Sequence, residues 1–267
     1  MSTILWHVTK TTDDLASFYN NGAMSDFGKG LGGQTGGLFL WSSKISAQSQ
    51  IRFFSFKQNF HGLMVGVKAD KISPQNWQID FETGDIESAF FLPQLWKPYK
   101  DIFNQKANEL NLPFIRQDEP CLLKQIQMDN SPFPEITVSY QDSNGTHQTE
   151  NFSSTMNTAN TGLCEAIHTW LYQESKTYQK AYQKLLSDIV KTKEISWETP
   201  HGKTRRNGMY FPLKYQGKTP LPVSRVFHVH CHKNTQIHEN LIYENGKKQV
   251  CPFIRLYQSK KMLDKER

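Results

Sequence analysis

Cysteine is scarce in this 267-residue chain: Cys121, Cys164, Cys231 and Cys251 are the only four, and no two of them form a Cys-x-x-Cys pair. Zinc-ribbon spacing is therefore absent, and the wide scatter does not suggest a small disulfide scaffold. Reduced, structural thiols in a reducing compartment are expected. No apolar run reaches eighteen residues, so no membrane-spanning segment is expected. The opening MSTILWHVTKTTDD lacks the charged-then-apolar pattern of a signal peptide. The expected location is soluble: cytoplasmic, or a host cytosol reached without a cleavable signal. Neither a repeat array nor a disordered composition is evident.

What is present is an ordinary globular composition, 37% hydrophobic, 12% aromatic and 21% charged. The length suits one large domain, or a domain with a sizeable insertion. The net charge of +6 is compatible with nucleic acid, an anionic surface or a phosphate-bearing ligand, and selects none of them.

Strand-like runs cluster at the two ends of the chain. Near the start are TILWHVT, GLFLWSS and GLMVGVKADKI; near the end are VSRVFHVHCHK and ENLIYENGKKQVCPFIRLY. A short helix in DDLASFYNNG is capped by Asp13 or Asp14 and ended by Gly22. Six glycines between Gly28 and Gly37 mark a turned or mobile loop. KISAQSQIRFFSF reads as a helix, WQIDFE as a short strand, and the PQLWKPYKDIFNQKANELN stretch as helical after Pro98. EITVSYQDSNGTHQTENFSS reads as a hairpin turning at Asn144-Gly145. Apolar residues at helical spacing, Leu163, Ile167, Trp170, Leu171, Ala181, Leu185 and Ile189, predict one long core-packed helix over about 162–192. HGKTRRNG reads as a basic loop, and SKKMLDKER as a solvated tail. The expected class is α+β, with a mixed or antiparallel sheet built from both ends of the chain. Residues 93–200 would be an insertion carrying the hairpin and the long helix.

Several residues invite a chemical reading. In HVHCH, His228, His230 and His232 alternate with Phe227, Val229 and Cys231, so three histidines share one strand face. His-x-His can chelate zinc, but no carboxylate or cysteine pair is fixed beside it by spacing. A polar sheet face without metal is the reading adopted. The glycine-rich loop lacks the Walker A pattern, although its backbone N–H groups could cradle a pyrophosphate. Taken singly, His7, Phe39, Ser46 and Glu239 are an ordinary histidine, a core aromatic, a helix cap and a solvated charge.

Taken together, and in this order, LWHVTK, GGLFLWSS, KISAQ and HENLIYENGKKQV resemble the donor-site segments of the ADP-ribosyltransferase superfamily. The likeness is to its diphtheria-toxin and poly(ADP-ribose) polymerase branch, which carries a His-Tyr-Glu triad. It covers about residues 4–55 and 226–256. The resemblance implies a split mixed or antiparallel ADP-ribosyltransferase-like sheet with a helical insertion, and NAD as co-substrate. It implies that Glu239 is the carboxylate that binds the nicotinamide ribose and favours positive charge on it. His7 would bind the adenosine ribose, oriented by Thr9. The backbone at Val8 would hold the nicotinamide amide, and Ser46 would line the same site. Aromatic faces would wall the nicotinamide ring.

This chain departs from the family in three places. Val8 replaces the glycine after the histidine, and Phe39 replaces the first tyrosine. The second tyrosine has no clean match: its place falls near Ser49 or Gln50, with Phe53 or Phe54 as substitutes. The implied activity is mono-ADP-ribosylation of a protein with release of nicotinamide, as in a bacterial toxin or effector. The alternatives are a nucleic acid or small-molecule acceptor, and a catalytically inactive module on the same fold that binds NAD or a partner. Glu244, five residues beyond Glu239, is expected to be a bystander.

Overall fold

A computed structural model describes residues 3–10, 15–23, 37–69, 75–80, 88–116, 119–151, 161–233 and 235–249. The expected Asp13 or Asp14 cap, nearly all of the glycine-rich loop, the strand predicted beyond Gln249 and the C-terminal tail lie outside these residues, as does Cys251. Among the described residues no helix is long and apolar enough to cross a membrane.

In chain order the elements are β1 (Thr3–Thr9), α1 (Leu15–Asn21), β2 (Leu38–Leu40), α2 (Lys44–Ser55), β3 (Phe60–Ala69) and β4 (Trp77–Ile79). Then come α3 (Ser88–Trp96), α4 (Lys100–Lys106), β5 (Leu112–Arg116), β6 (Glu119–Met128), β7 (Ile136–Gln141) and β8 (His147–Asn151). The rest are α5 (Thr161–Glu174), α6 (Lys176–Val190), β9 (Glu194–Thr199), β10 (Gly202–Asn207), β11 (Leu213–Tyr215), β12 (Val223–Cys231), β13 (Ile237–Glu244) and β14 (Lys247–Lys248). The class is α+β. The chain folds as two compact units: one of residues 1–25, 38–71 and 217–267, the other of residues 26–37 and 72–216.

The first unit is built on a five-stranded sheet in the order β1-β3-β12-β13-β14, so strands from both chain ends meet as expected. Its pairings are antiparallel. β1 is the edge strand, extended by one bridge between Trp6 and Trp41 just after β2. Gly62 is required where β3 passes the end of β1, because a Cβ there would stand 2.1 Å from the Thr9 carbonyl oxygen. Asn245 and Gly246, both at positive φ, form the two-residue turn from β13 to β14, the geometry favoured by the twist of a hairpin. One face of the sheet is covered by α2. Ala47 and Ile51 from that helix pack with Trp6, Phe60, Met64, Val229 and Cys231.

The second unit contains a four-stranded meander, β5-β6-β7-β8, and the β9–β10 hairpin. The expected hairpin is β7–β8; its Gly145 takes φ 83° at the end of the Ser143-Asn144-Gly145 loop. Three expectations change here. The helix predicted over 162–192 is two helices, because Ser175 leaves helical geometry and its side chain caps α6 by accepting from the Tyr178 N–H. A periodic stripe survives such a break, since both helices bury apolar residues. HGKTRRNG is not a loop: residues 202–207 form β10, paired along its length with β9. Its alternating exposure is that of a polar strand, invisible to a search for apolar alternation. Helix also precedes Pro98: α3 runs up to Trp96, and Pro98 lies in a 3-10 turn joining it to α4.

Candidate functional site

His7, Val8, Thr9, Phe39, Ser46, Phe53 and Glu239 lie in the first unit. Trp6 N–H donates to the Trp41 carbonyl and Trp41 N–H donates back, each at 2.8 Å. Those Trp6 groups point away from β3. Backbone groups two residues apart in a strand project to the same side, so the N–H and C=O of Val8 also project from the outer edge of β1. Val8 itself packs against the core cluster on the α2 face.

His7 is oriented by the neighbouring strand. Its Nδ1–H donates to the Phe39 carbonyl at 2.8 Å. A carbonyl can only accept, so this bond places the neutral ring's proton on Nδ1 and makes Nε2 its acceptor nitrogen. The His7 ring also approaches Phe18 of α1, with centroids 6.3 Å apart. Phe39 therefore touches His7 through its backbone.

Glu239 is held by α2. Lys44 Nζ lies 2.5 Å from one carboxylate oxygen, and Gln48 Nε2 donates to the other at 2.5 Å. Lys44 and Gln48 are one helical turn apart, which puts both on the stripe facing β13. The carboxylate side chain is 16% exposed. Lys44 also lies over the ring of Phe227, 4.1 Å from its centroid, and 5.9 Å from that of Trp6. One ammonium thus links β1, β12 and β13. Trp6, Lys44, Gln48 and Phe227 were not singled out from the sequence. The spacing of Lys44 and Gln48 was visible, but their common partner lies about 190 residues away.

The remaining residues are placed differently. Ser46 is buried, its hydroxyl bonded to that of Ser43, which caps α2. Phe53 is 71% exposed. It is nine residues from Lys44, half a helical revolution round, so it does not join the Glu239 side of α2. Phe54 packs on Phe60 under Lys10. Tyr243 stacks on Tyr19 at 4.8 Å. Glu244 is engaged by its cross-strand neighbour Arg225 at 2.8 Å.

The register separates His7 from Glu239. Glu239 is opposite Val229, and Val229 is opposite Gly62. By alternation this face includes Met64 and Trp6, the α2 side. His7 is opposite Val65, one residue out of phase, and sits on the α1 side. The structure therefore gathers the four sequence segments into one unit, but places the His7 and Glu239 side chains on opposite faces of the sheet.

A carboxylate held between an ammonium and an amide can accept from a sugar hydroxyl and stabilise developing positive charge. Backbone groups on the outer edge of β1, beside a histidine of fixed tautomer, are of the kind that bind a carboxamide. Comparison with protein-family models, curated proteins and solved structures finds no match to this chain.

Proposed function

We propose that the protein is an NAD-dependent ADP-ribosyltransferase that modifies a protein side chain and releases nicotinamide, on an ADP-ribosyltransferase-like fold. The observation that carries this reading is Glu239, clamped by the helix that directly follows the Phe39 strand. Of the segments resembling the family, the one carrying Lys44 touches that carboxylate directly, and the first reaches it through Trp6 beside Lys44. The donor set fits NAD in two respects. The backbone of Val8 projects from the outer edge of β1, where the nicotinamide amide would bind, and Glu239 offers a carboxylate to a ribose hydroxyl. NAD would supply the ADP-ribosyl group, with nicotinamide as the leaving group. Glu239 would accept the ribose hydroxyl hydrogen bond, taking the place of Gln48 at one oxygen, and its charge would favour positive charge on the ribose. Lys44 would keep the carboxylate aimed. His7 Nε2 would accept from the second ribose at the β1 edge.

A second reading is favoured by a specific observation. With His7 and Glu239 on opposite faces and both Glu239 oxygens engaged, the fold also suits a non-catalytic module that binds NAD or a partner. Nicotinamide release from NAD by the purified chain separates the two. The transferase reading expects release that falls in Glu239→Ala. NAD-dependent thermal stabilisation without release leaves the module. Labelled NAD incubated with lysate then identifies the acceptor: a protease-sensitive label marks protein, and a nuclease-sensitive one marks nucleic acid.

A further inference from the structure

The histidines that the transferase reading leaves unused form a row across three strands. His230 on β12 is directly opposite His61 on β3 and directly opposite His238 on β13. All three lie on the face away from α2. The rings of His61 and His230 stack with centroids 4.2 Å apart and planes 13° apart. The ring of His238 is 6.3 Å from that of His230. His61 and His238 are exposed, and His230 is half-buried.

Neutral imidazole is the form that ligates metals. A tetrahedral zinc ion bound to nitrogen at ~2.0–2.1 Å sets two ligating atoms ~3.4 Å apart. The stacked rings hold their nitrogen lone pairs in near-parallel planes, so both rings must rotate for one nitrogen of each to converge on a shared ion, and their directly opposed positions on β3 and β12 put the two side chains within reach of that arrangement. As the side chains stand, no three or more His, Cys, Asp or Glu residues among those described form a group that could hold a metal ion.

We propose that His61 and His230 form a two-histidine chelate for a divalent transition metal of the zinc, nickel and copper class, with water completing the coordination. His238, one strand further on, is the neighbour whose ring would have to turn to add a third ligand. Imidazole donors favour these cations over magnesium and calcium, which prefer oxygen. The bound ion ties β3 to β12 on the face opposite Glu239, so the site stands independently of the transferase reading.

Zinc chloride titrated calorimetrically into the full chain at pH 7.5 tests this. One saturable site per chain is expected, together with a rise in Tm that a chelator reverses. His61→Gln and His230→Gln should each weaken binding at least tenfold, while the exposed His201→Gln leaves it unchanged. Because His61 is exposed, its variant removes a donor without opening the core. The absence of a saturable site in the wild-type chain would overturn the proposal, as would unchanged binding in both His61→Gln and His230→Gln.

Discussion

The two units treat their polar side chains in opposite ways. In the unit of residues 26–37 and 72–216, a buried network of polar groups is satisfied internally, while Gln78 Oε1 and Arg116 Nε are buried without a hydrogen-bond partner among the described residues. Trp96 N–H donates to the Tyr178 hydroxyl at 3.1 Å, and that hydroxyl is hydrogen-bonded to His168 Nδ1 at 2.8 Å. Buried Lys214 is paired with Glu165 at 2.7 Å. The Tyr182 hydroxyl accepts from the Ile79 N–H. In the sheet unit, the polar groups that matter are partly exposed and gathered from distant segments: Glu239 with Lys44 and Gln48, and His7 with Phe39. The first arrangement specifies a packed core. The second, on the proposed reading, presents groups to NAD. Substitutions should therefore cost stability in one unit and activity in the other.

The largest effect tests the sheet unit. Glu239→Gln keeps the shape of the side chain and removes its charge. Nicotinamide release should fall ~10²–10³-fold, the usual size of losing one electrostatic partner of the reacting group, with the thermal midpoint nearly unchanged. Unaltered release would break the comparison on its active side.

The next tests fall on the buried network. Tyr178→Phe leaves the Trp96 N–H and His168 Nδ1 without the hydroxyl, and should cost ~1–3 kcal/mol in urea unfolding. Turnover per folded molecule should not change. Acid acts on the same group. Burial pushes His168 down to about 3, so between that value and the ordinary ~6.5 the unfolded chain binds the extra proton. Stability is then full above ~6.5 and declines as pH falls through the window. From pH 7.5 to 5.0 the loss from His168 should be ~2 kcal/mol, and in His168→Gln this part of the slope should vanish. A slope of the same size in that variant would move the acid sensitivity elsewhere in the chain.

The smallest effect is the sharpest. Ser175→Ala removes the cap between α5 and α6 and should cost ~1 kcal/mol, again without loss of turnover. No change would mean that the break at Ser175 is set by packing rather than by the cap.

Much of the fold was legible in the sequence because it rests on local patterns. Alternation in TILWHVT and VSRVFHVHCHK marked the strands of the five-stranded sheet, and Gly22 marked the end of α1. The missed elements carry weak local signals. β10 is polar, and LPFIR and EPCLLKQIQM in β5 and β6 hold prolines that argue against strands. For the candidate site, the order of segments pointed to His7, Val8, Phe39 and Glu239. Lys44 and Gln48 could not be singled out, since an ordinary helix face carries such residues for solvation.

The sequence by itself determined the strands that both chain ends supply to one sheet, and which residues carry ionisable chemistry. Those properties follow from side-chain periodicity and backbone preference, which act over a few residues. Only the tertiary structure decided that α2 holds Glu239, that His61 meets His230, and that His7 and Glu239 occupy opposite faces. Strand register sets all three. A shift of one residue reverses every side chain in a strand, and register is settled by packing between segments as far apart as α2 and β13.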